Sequence, residues 1–236
     1  MRTWIIVPAA GGGRRFGGAM PKQYADLAGA PVLARTLERL TTVDCEAIVV
    51  ALAPDDIRYD DVIGVRPGVM PIRCGGATRA ATVRKALQAI GARVADDDWV
   101  LVHDAARPCV PRDALDRLVG ELRSDSVGGL LALPLGDTLK RSSAMDEPPR
   151  VMRTESREGL WLAQTPQMFR RRLLAAAQGL DVAGHCTDEA QAIEALAATG
   201  VCDMPRLVRG SPANIKITFP GDLALAAAIL GTQERK

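Results

Sequence analysis

Short, continuously apolar runs recur along the chain and alternate with segments of helical periodicity. The run Trp99-Val100-Leu101-Val102 has no polar position and therefore no face for solvent. Such a run predicts a strand buried on both faces, as in a mostly parallel sheet covered by helices. The alternation predicts an α/β fold with three layers around a mostly parallel, twisted sheet. Ligands are then expected at the carboxyl ends of the strands.

The same patterns predict the individual elements. Strands are predicted at residues 4–7, 47–52, 71–74, 99–103, 129–133, 206–208 and 215–218. Helices are predicted at residues 31–40, 78–90, 112–122, 169–178, 188–199 and 220–230. Pro31 and Pro220 suit first helical turns, and Gly91 and Gly200 suit helix ends.

Size and composition argue against several classes of function for this chain. The 236 residues suit a single domain spanning 1–236. A net charge of +2 with 3% aromatic residues argues against a nucleic-acid partner. No run of about eighteen apolar residues exists, which argues against a membrane partner. The five cysteines are odd in number, widely spaced and without a CxxC pair, which is typical of reduced thiols in a cytoplasmic protein.

One polar, charged region interrupts the alternation between about residues 137 and 159. A segment of this length without a predicted element is commonly functional or disordered. It is interpreted as a protruding arm that pairs with another subunit. A plain surface loop is the alternative that composition leaves open.

A glycine- and arginine-rich segment follows the first predicted strand. Gly11-Gly12-Gly13 leads into two arginines, and Lys22 follows shortly afterwards. Glycines let backbone N–H groups approach phosphates, and the cations add charge for a polyanion. The segment lacks the third glycine of a dinucleotide fingerprint and the Gly-Lys-Ser/Thr of a Walker loop. It predicts a triphosphate site; a flexible glycine turn is the alternative.

Motifs along nearly the whole chain resemble those of one family. The run from Pro8 to Arg15 followed by Pro21-Lys22-Gln23 resembles the Rossmann-like nucleotidyltransferases, and in particular the 2-C-methyl-D-erythritol 4-phosphate cytidylyltransferase family. The further matching motifs are Gly75-Gly76, Arg79, Val102-His103-Asp104-Ala105-Ala106-Arg107-Pro108, Asp137-Thr138-Leu139-Lys140, Arg157, Gly159-Leu160-Trp161, Thr165-Pro166-Gln167, Thr187-Asp188-Glu189-Ala190 and Asn214-Ile215-Lys216.

The resemblance implies an activity. CTP and 2-C-methyl-D-erythritol 4-phosphate would give 4-diphosphocytidyl-2-C-methyl-D-erythritol and pyrophosphate, a step of non-mevalonate isoprenoid precursor synthesis. It also implies a homodimer and Mg²⁺ or another divalent cation. Two alternatives stay open: a cytidylyltransferase for another polyol phosphate, such as ribitol 5-phosphate, and a non-catalytic nucleotide-binding module. A dehydrogenase is disfavoured by the failed dinucleotide fingerprint.

The resemblance also implies residue roles. The catalytic residues would be Arg15, Lys22, Arg157 and Lys216. The nucleotide-binding residues would be Ala9, Ala10, Gly11, Gly13, Gly76, Arg79, Thr82 and Asp104. The acceptor-binding residues would be Asp104, Arg107, Thr138, Arg157, Thr165, Thr187 and Lys216. Asp104 is also the candidate metal ligand, although the triphosphate would hold the metal ion for the most part.

Some of these residues have simpler structural explanations. Asp104 could cap a turn, Arg107 could form a surface ion pair, and Thr187 could be a helix N-cap. Lys216 alone would be a solvated edge residue. His103 is expected to pack within its strand without a catalytic role.

The chain also departs from the family pattern. Ala77 and Ala81 stand where acidic residues are usual, and Ala213 replaces a common Asp. These departures bear on base selectivity more than on the reaction.

Overall fold

The computed structural model describes residues 1–13, 16–17, 20–143, 148–180 and 186–234. The strands are β1 Thr3–Pro8, β2 Asp26–Leu27, β3 Ala30–Pro31, β4 Ala47–Ala51, β5 Val69–Ile72, β6 Trp99–Val102, β7 Gly128–Pro134, β8 Leu139–Ser142, β9 Val151–Glu155, β10 Trp161–Arg170 and β11 Arg206–Arg209. The helices are α1 Val32–Leu40, α2 Tyr59–Val62, α3 Arg79–Ile90, α4 Arg112–Leu122, α5 Arg171–Gln178, α6 Glu189–Ala197 and α7 Asp222–Gln233.

A seven-stranded sheet organises these elements in the order β11-β7-β10-β6-β1-β4-β5. The pairs of β1 with β4 and β6, of β4 with β5, and of β7 with β11 are parallel. Strand β10 runs antiparallel between β6 and β7. The expectation of a mostly parallel α/β sheet is therefore confirmed.

The buried side chains form a layer on each face of the sheet. In β1, Ile5 and Val7 belong to the cluster that also holds Leu37 of α1 and Leu118 of α4. Their neighbours Trp4 and Ile6 belong to a cluster on the other face, with side chains of α3, α5 and α6. Alternate residues of one strand thus enter different layers, which explains why its sequence is apolar throughout.

Strand β10 was missed by the sequence prediction, and the helix predicted from residue 169 begins only at Arg171. The strand carries Gln164, Thr165 and Gln167 as buried polar residues, so it has no apolar pattern to detect. Its pairing with β7 shifts register between Ala163 and Gln167. Pro166 lies inside that shift, as expected for a residue that cannot donate to a ladder.

The strand predicted at residues 215–218 is wrong, because that segment lies outside every described sheet. It is fixed instead by separate contacts. Ile217 is fully buried and its N–H donates to the carbonyl of Ala106 at 2.8 Å. The carboxylate of Asp222 accepts from the N–H groups of Thr218 and Phe219, both at 2.8 Å.

The polar region predicted as an arm forms an antiparallel hairpin of β8 and β9, and both strands are almost wholly exposed. No helix in the described part of the chain is long and apolar enough to cross a membrane.

Asp98 fixes the amino end of the central strand β6. Its carboxylate accepts from the backbone N–H of Arg2 at 2.8 Å and of Ala95 at 3.0 Å, and the Arg2 guanidinium lies 3.2 Å away. Burial alone raises the pKa of this carboxyl, but the two backbone hydrogen bonds and the Arg2 guanidinium together outweigh that effect, and the pKa lies below its ordinary value of 3.8. Ionised Asp98 therefore stabilises the fold above about pH 4, and this stabilisation is lost as the pH falls through the lower folded pKa.

We expect Asp98→Asn to lower the free energy of unfolding at pH 7 by about 1–2 kcal/mol, because two backbone N–H groups lose the charged acceptor that the buried Asp98 provides. Urea titrations of both proteins from pH 7 downward would measure this. The difference between them should begin to shrink below about pH 4, where Asp98 of the unfolded wild type takes up a proton, and should continue to shrink as the pH falls towards the lower folded pKa. A difference that is constant across this range would contradict the assigned role.

Candidate active site

A cavity of about 510 Å³ opens at the carboxyl ends of β1 and β6. The loop after β1, the turn after β6 and the amino end of α3 form its walls. Residues predicted for the nucleotide or for catalysis that line it are Ala9, Ala10, Gly11, Gly13, Lys22, Gly76, Arg79, Thr82, Asp104 and Lys216. The structure thus brings together residues that lie more than 200 positions apart in sequence. Arg15 lies outside the described residues.

The paired glycines explain how two loops meet at this wall. A Cβ on Gly75 would lie 2.4 Å from the Cβ of Ala10 and 2.8 Å from the carbonyl oxygen of Leu52. A Cβ on Gly76 would lie 2.6 Å from the Cβ of Ala81. Both contacts are too close for any side chain, so glycine permits this approach of backbone to backbone.

The hydroxyl of Thr82 has protein partners at the same wall. It accepts from the N–H of Gly76 at 3.0 Å and donates to the carbonyl of Thr78 at 3.0 Å. Thr78 in turn caps α3 by accepting from the N–H of Ala81. Thr82 therefore holds the glycine loop against the helix. The predicted contact between its hydroxyl and the base stays a prediction.

Lys22 begins a short 3-10 turn, Lys22–Tyr24, at the floor of the glycine segment. Its ammonium group donates to the carbonyl of Ile217 at 2.9 Å. The neighbouring Gln23 donates to the carbonyl of Ala9 at 2.9 Å. These two side chains join the glycine segment to the wall that also carries Lys216.

Asp104 lies at the centre of the charged groups. One carboxylate oxygen accepts from the Arg79 guanidinium at 2.9 Å; the other lies 2.7 Å from the ammonium of Lys216 and 3.6 Å from Nε of Arg107. Burial alone raises the pKa of Asp104, but the attraction of Arg79 and Lys216 outweighs it and holds that pKa far below its usual range. Asp104 is therefore an anion at every working pH.

Glu189 completes this network, and sequence reasoning gave it no role. Its carboxylate is buried and accepts two hydrogen bonds from Nη1 of Arg79, at 2.8 and 2.9 Å. From sequence, Asp188-Glu189 indicates an acidic helix start, where acids are usually solvated. Its partner Arg79 lies 110 positions away, so the pattern carried no signal. Three cations and two carboxylates leave the cluster with one net positive charge.

Thr165 and His103 support the turn that carries Asp104. The Thr165 hydroxyl accepts from the N–H of Asp104 at 3.0 Å and lies 3.1 Å from Nδ1 of His103. Nε2 of His103 lies 3.1 Å from the carbonyl of Arg107. Burial lowers the pKa of His103 to about 4, so the ring is neutral at physiological pH. His103 packs at the end of β6, as expected.

Asn214 links this turn to the segment bearing Lys216. It is fully buried, and its side-chain amide donates to the carbonyl of Thr165 at 2.8 Å. Its own carbonyl accepts from Arg107 at 2.7 Å. Arg107 is therefore held by the protein on two sides, and an exposed surface ion pair does not describe it.

Three predicted acceptor residues lie away from the cavity of their own chain. Thr138 and Arg157 are exposed on the arm, and Arg157 donates to the carbonyl of Gly136. Thr187 is exposed, with its N–H and hydroxyl both directed at Gln191. The N-cap of α6 is Asp188, so the explanation of Thr187 as that cap is wrong.

A metal ion finds few protein ligands here. No group of three or more His, Cys, Asp or Glu side chains within the described ranges could hold one. The carboxylate oxygens of Asp104 already face three cations. The protein side of the site therefore fits a polyanion much better than a metal ion held by side chains.

A glycine-walled cavity beside preorganised Arg and Lys groups, at the carboxyl ends of a mostly parallel sheet, is the kind of site that a nucleotidyltransferase requires. The model of the 2-C-methyl-D-erythritol 4-phosphate cytidylyltransferase family matches residues 3–232. The chain belongs to this family.

Individual relatives agree with this assignment. The 2-C-methyl-D-erythritol 4-phosphate cytidylyltransferase of Laribacter hongkongensis is 55% identical, covering 98% of this chain and 96% of its own. That of Dechloromonas aromatica is 53% identical, covering 97% of each. A solved 4-diphosphocytidyl-2C-methyl-D-erythritol synthase superposes with a TM-score of 0.83 at 34% identity, covering 97% of this chain and 98% of that one. The Thermus thermophilus cytidylyltransferase superposes with a TM-score of 0.74 at 32% identity, covering 97% and 98%.

We expect Glu189→Gln to destabilise the protein by about 2 kcal/mol, because the partly buried Arg79 guanidinium loses one of its two carboxylate partners. Asp116→Asn is the matched control, since the Arg112–Asp116 pair is exposed on both sides. Its effect should stay below about 0.5 kcal/mol. Unfolding of both variants in guanidinium chloride would measure the two losses in free energy of unfolding. Equal losses would show that the Glu189–Arg79 pair stabilises the protein no more than an exposed pair does.

Proposed function

We propose that the chain transfers the cytidylyl group of CTP to 2-C-methyl-D-erythritol 4-phosphate, which gives 4-diphosphocytidyl-2-C-methyl-D-erythritol and pyrophosphate. This reaction supplies precursors for isoprenoid synthesis. Family membership over residues 3–232 supports the reaction. The observation that carries the proposal is the cavity itself, in which a glycine wall meets Lys22, Arg79 and Lys216.

The chemistry needs charge more than acid–base catalysis. The attacking group is a phosphate oxygen, which is already an anion, so no strong general base is required. The barrier comes from the approach of two polyanions and from charge that builds on the α-phosphoryl oxygens and the pyrophosphate. Cations held in place before the reaction lower that barrier without reorganising.

The charged groups divide between the two substrates. Lys22, together with Arg15, stabilises the transferring phosphoryl group. Lys216 and Arg107 receive the acceptor phosphate, and Asp104 holds both of them through its second carboxylate oxygen. The acceptor's phosphate takes over part of this pairing as it binds. Because Asp104 stays ionised, the cations remain in place while the site is empty.

Mg²⁺ or another divalent cation is part of this proposal, held by the oxygens of the triphosphate. Bound there, it would neutralise charge on the leaving pyrophosphate. Asp104 can approach it only where one of its ion pairs opens. The protein's own contribution remains the fixed arginines and lysines.

Base selection rests on the glycine wall and on backbone groups near Ala9, Ala10 and Gly76. Ala77 lines the cavity where the family commonly has an acid. We therefore expect this chain's departures from the family pattern to affect the preference for CTP over UTP more than any other property.

The five free cysteines support a cytoplasmic location.

An assay of pyrophosphate release tests the reaction. We expect product only when CTP, 2-C-methyl-D-erythritol 4-phosphate and Mg²⁺ are present together, with slower release from UTP, ATP or ribitol 5-phosphate. Lys22→Ala should lower kcat by about 100- to 1000-fold, because it removes one preorganised donor.

The affinity of Lys22→Ala for CTP, measured by calorimetry, should fall by much less than its kcat. Arg112→Ala, in an exposed pair on α4, is the control and should behave as the wild type. Failure of the wild type to release pyrophosphate would refute the reaction. Equal rates with ribitol 5-phosphate and 2-C-methyl-D-erythritol 4-phosphate would contradict the proposed acceptor. A Lys22→Ala variant that loses only affinity for CTP would favour a non-catalytic nucleotide-binding module.

We further propose that the chain is a homodimer in which the arm reaches the partner's cavity. Thr138 and Arg157 lie on the arm, outside the lining of their own cavity. Six of the sixteen exposed large apolar side chains among the described residues lie between residues 139 and 162. They are Leu139, Val151, Met152, Leu160, Trp161 and Leu162. Exposed apolar side chains grouped on a polar hairpin and on the strand start that follows it are typical of an interface.

Complementation between two inactive variants tests this arrangement. Lys22→Ala damages the cavity and Arg157→Ala damages the arm, so each homodimer should be inactive. In a mixed dimer, one site combines the intact cavity of the Arg157→Ala chain with the intact arm of the Lys22→Ala chain. The other site carries both changes. After complete subunit exchange, activity should recover to about a quarter of the wild-type value. A mixture that stays inactive although exchange is shown by mass spectrometry would place Arg157 in its own chain's site.

A further inference from the structure

The donors and acceptors around His103 determine where the hydrogens lie in a buried network. The carbonyl of Arg107 can only accept, so Nε2 of His103, at 3.1 Å, must carry a hydrogen. The ring is fully buried, and no carboxylate of the described residues lies within hydrogen-bond distance of it, which favours the neutral form. Neutral imidazole has one N–H, so Nδ1 must accept.

The neighbouring groups also determine which hydrogen bond the Thr165 hydroxyl donates and which it accepts. The backbone N–H of Asp104 can only donate, so it donates to the Thr165 oxygen at 3.0 Å. The single hydroxyl hydrogen then goes to Nδ1 of His103 at 3.1 Å. A phosphate oxygen also accepts only, so this hydroxyl has no hydrogen left for the acceptor phosphate.

We propose that His103 and Thr165 are positioning residues for the acceptor half of the site, acting as one hydrogen-bonded relay between the Asp104 N–H and the Arg107 carbonyl. This role takes the place of the direct phosphate contact predicted for Thr165. It rests on the proposed function for its link to the acceptor, while the proton positions stand on the geometry alone.

The relay spans the turn that carries the acceptor-binding charges. Its two ends, the N–H of Asp104 and the carbonyl of Arg107, are three residues apart, so His103 and Thr165 fix both ends of that turn. The carboxylate of Asp104 holds Lys216 at 2.7 Å, and the guanidinium of Arg107 donates to the carbonyl of Asn214. Asn214 closes the circuit by donating to the carbonyl of Thr165. The hydrogen bonds described for this relay involve no residue of the glycine wall. Loss of the relay should therefore weaken binding of the acceptor more than binding of the nucleotide.

Imidazole ¹⁵N NMR tests the proton positions without substrate. The chain has two histidines, so His103→Gln identifies the His103 signals by difference. We expect the wild type at pH 7 to carry hydrogen on Nε2 alone, and Thr165→Val to shift the Nδ1 resonance. A hydrogen on Nδ1 would overturn the relay whatever the enzyme's substrate proves to be.

Steady-state kinetics test the positioning role. His103→Gln keeps a donor near the Nε2 position but removes the acceptor for Thr165, and we expect the KM for 2-C-methyl-D-erythritol 4-phosphate to rise roughly 10-fold. The KM for CTP should change by less than about 3-fold, because the relay's bonds lie apart from the glycine wall. Thr165→Val should give a similar result, and Thr165→Ser, which keeps the hydroxyl, should restore near wild-type values.

The double variant separates the relay from a direct contact. If both residues act through one another, His103→Gln with Thr165→Val should be no worse than the poorer single variant. A direct phosphate contact predicts that His103→Gln frees the Thr165 hydroxyl, so the acceptor KM stays the same or falls. That result would overturn the positioning role.

Asp98→Asn controls for general destabilisation, since it weakens the opposite end of β6 outside the site. It should lower the melting temperature and leave both KM values unchanged. If the KM for the acceptor rose similarly in Asp98→Asn, the effects of the relay variants would be explained by general destabilisation, and the positioning role would be wrong. Absence of pyrophosphate release by the wild type would refute the proposed reaction instead, and the NMR result would still decide the relay.

Discussion

The buried carboxylate of Asp104 is the group on which the rest of the site depends. Arg79, Arg107 and Lys216 all approach it, and without its charge three cations would repel one another in a partly desolvated cavity. Glu189 adds a second negative charge behind Arg79. The cluster keeps one net positive charge, so it is held together by its own ion pairs and still attracts an incoming polyanion. Cations that are fixed in advance are what a phosphoryl-transfer transition state requires.

The fold delivers Asp104 through one departure from a parallel sheet. Strand β6 ends directly before His103 and Asp104, and its neighbour on one side is the antiparallel strand β10. An antiparallel neighbour can bring its middle, rather than its end, to the carboxyl end of β6. The register shift in β10 between Ala163 and Gln167 lies at that level, and it places Thr165 against the N–H of Asp104. The irregular stretch of the sheet is therefore the part that builds the site.

Sequence patterns predicted what depends on local physics and missed what depends on distant partners. The apolar strands, the helices α1, α3 and α4 and the glycine segment were evident, because burial on two faces and close backbone approach leave a local signature. Strand β10 and the role of Glu189 were missed, since polar groups satisfied by remote residues look like surface residues. The predicted strand at residues 215–218 failed for a related reason: its apolar residues bury singly against the turn after β6 and α7, without a ladder.

That same irregular segment joins the two halves of the site. Lys22, below the glycine segment, donates to the carbonyl of Ile217, and the preceding residue is Lys216, which pairs with Asp104. Ile217 is anchored by its N–H to Ala106, and Asp222 holds the next two backbone N–H groups. A regular edge strand would alternate its side chains between faces and leave its backbone for a ladder. The irregular path instead presents a carbonyl to one lysine and carries the other. One hydrogen bond and one step along the chain thus tie the two lysines together, and such fixed placement is what an in-line attack between two bound phosphates requires.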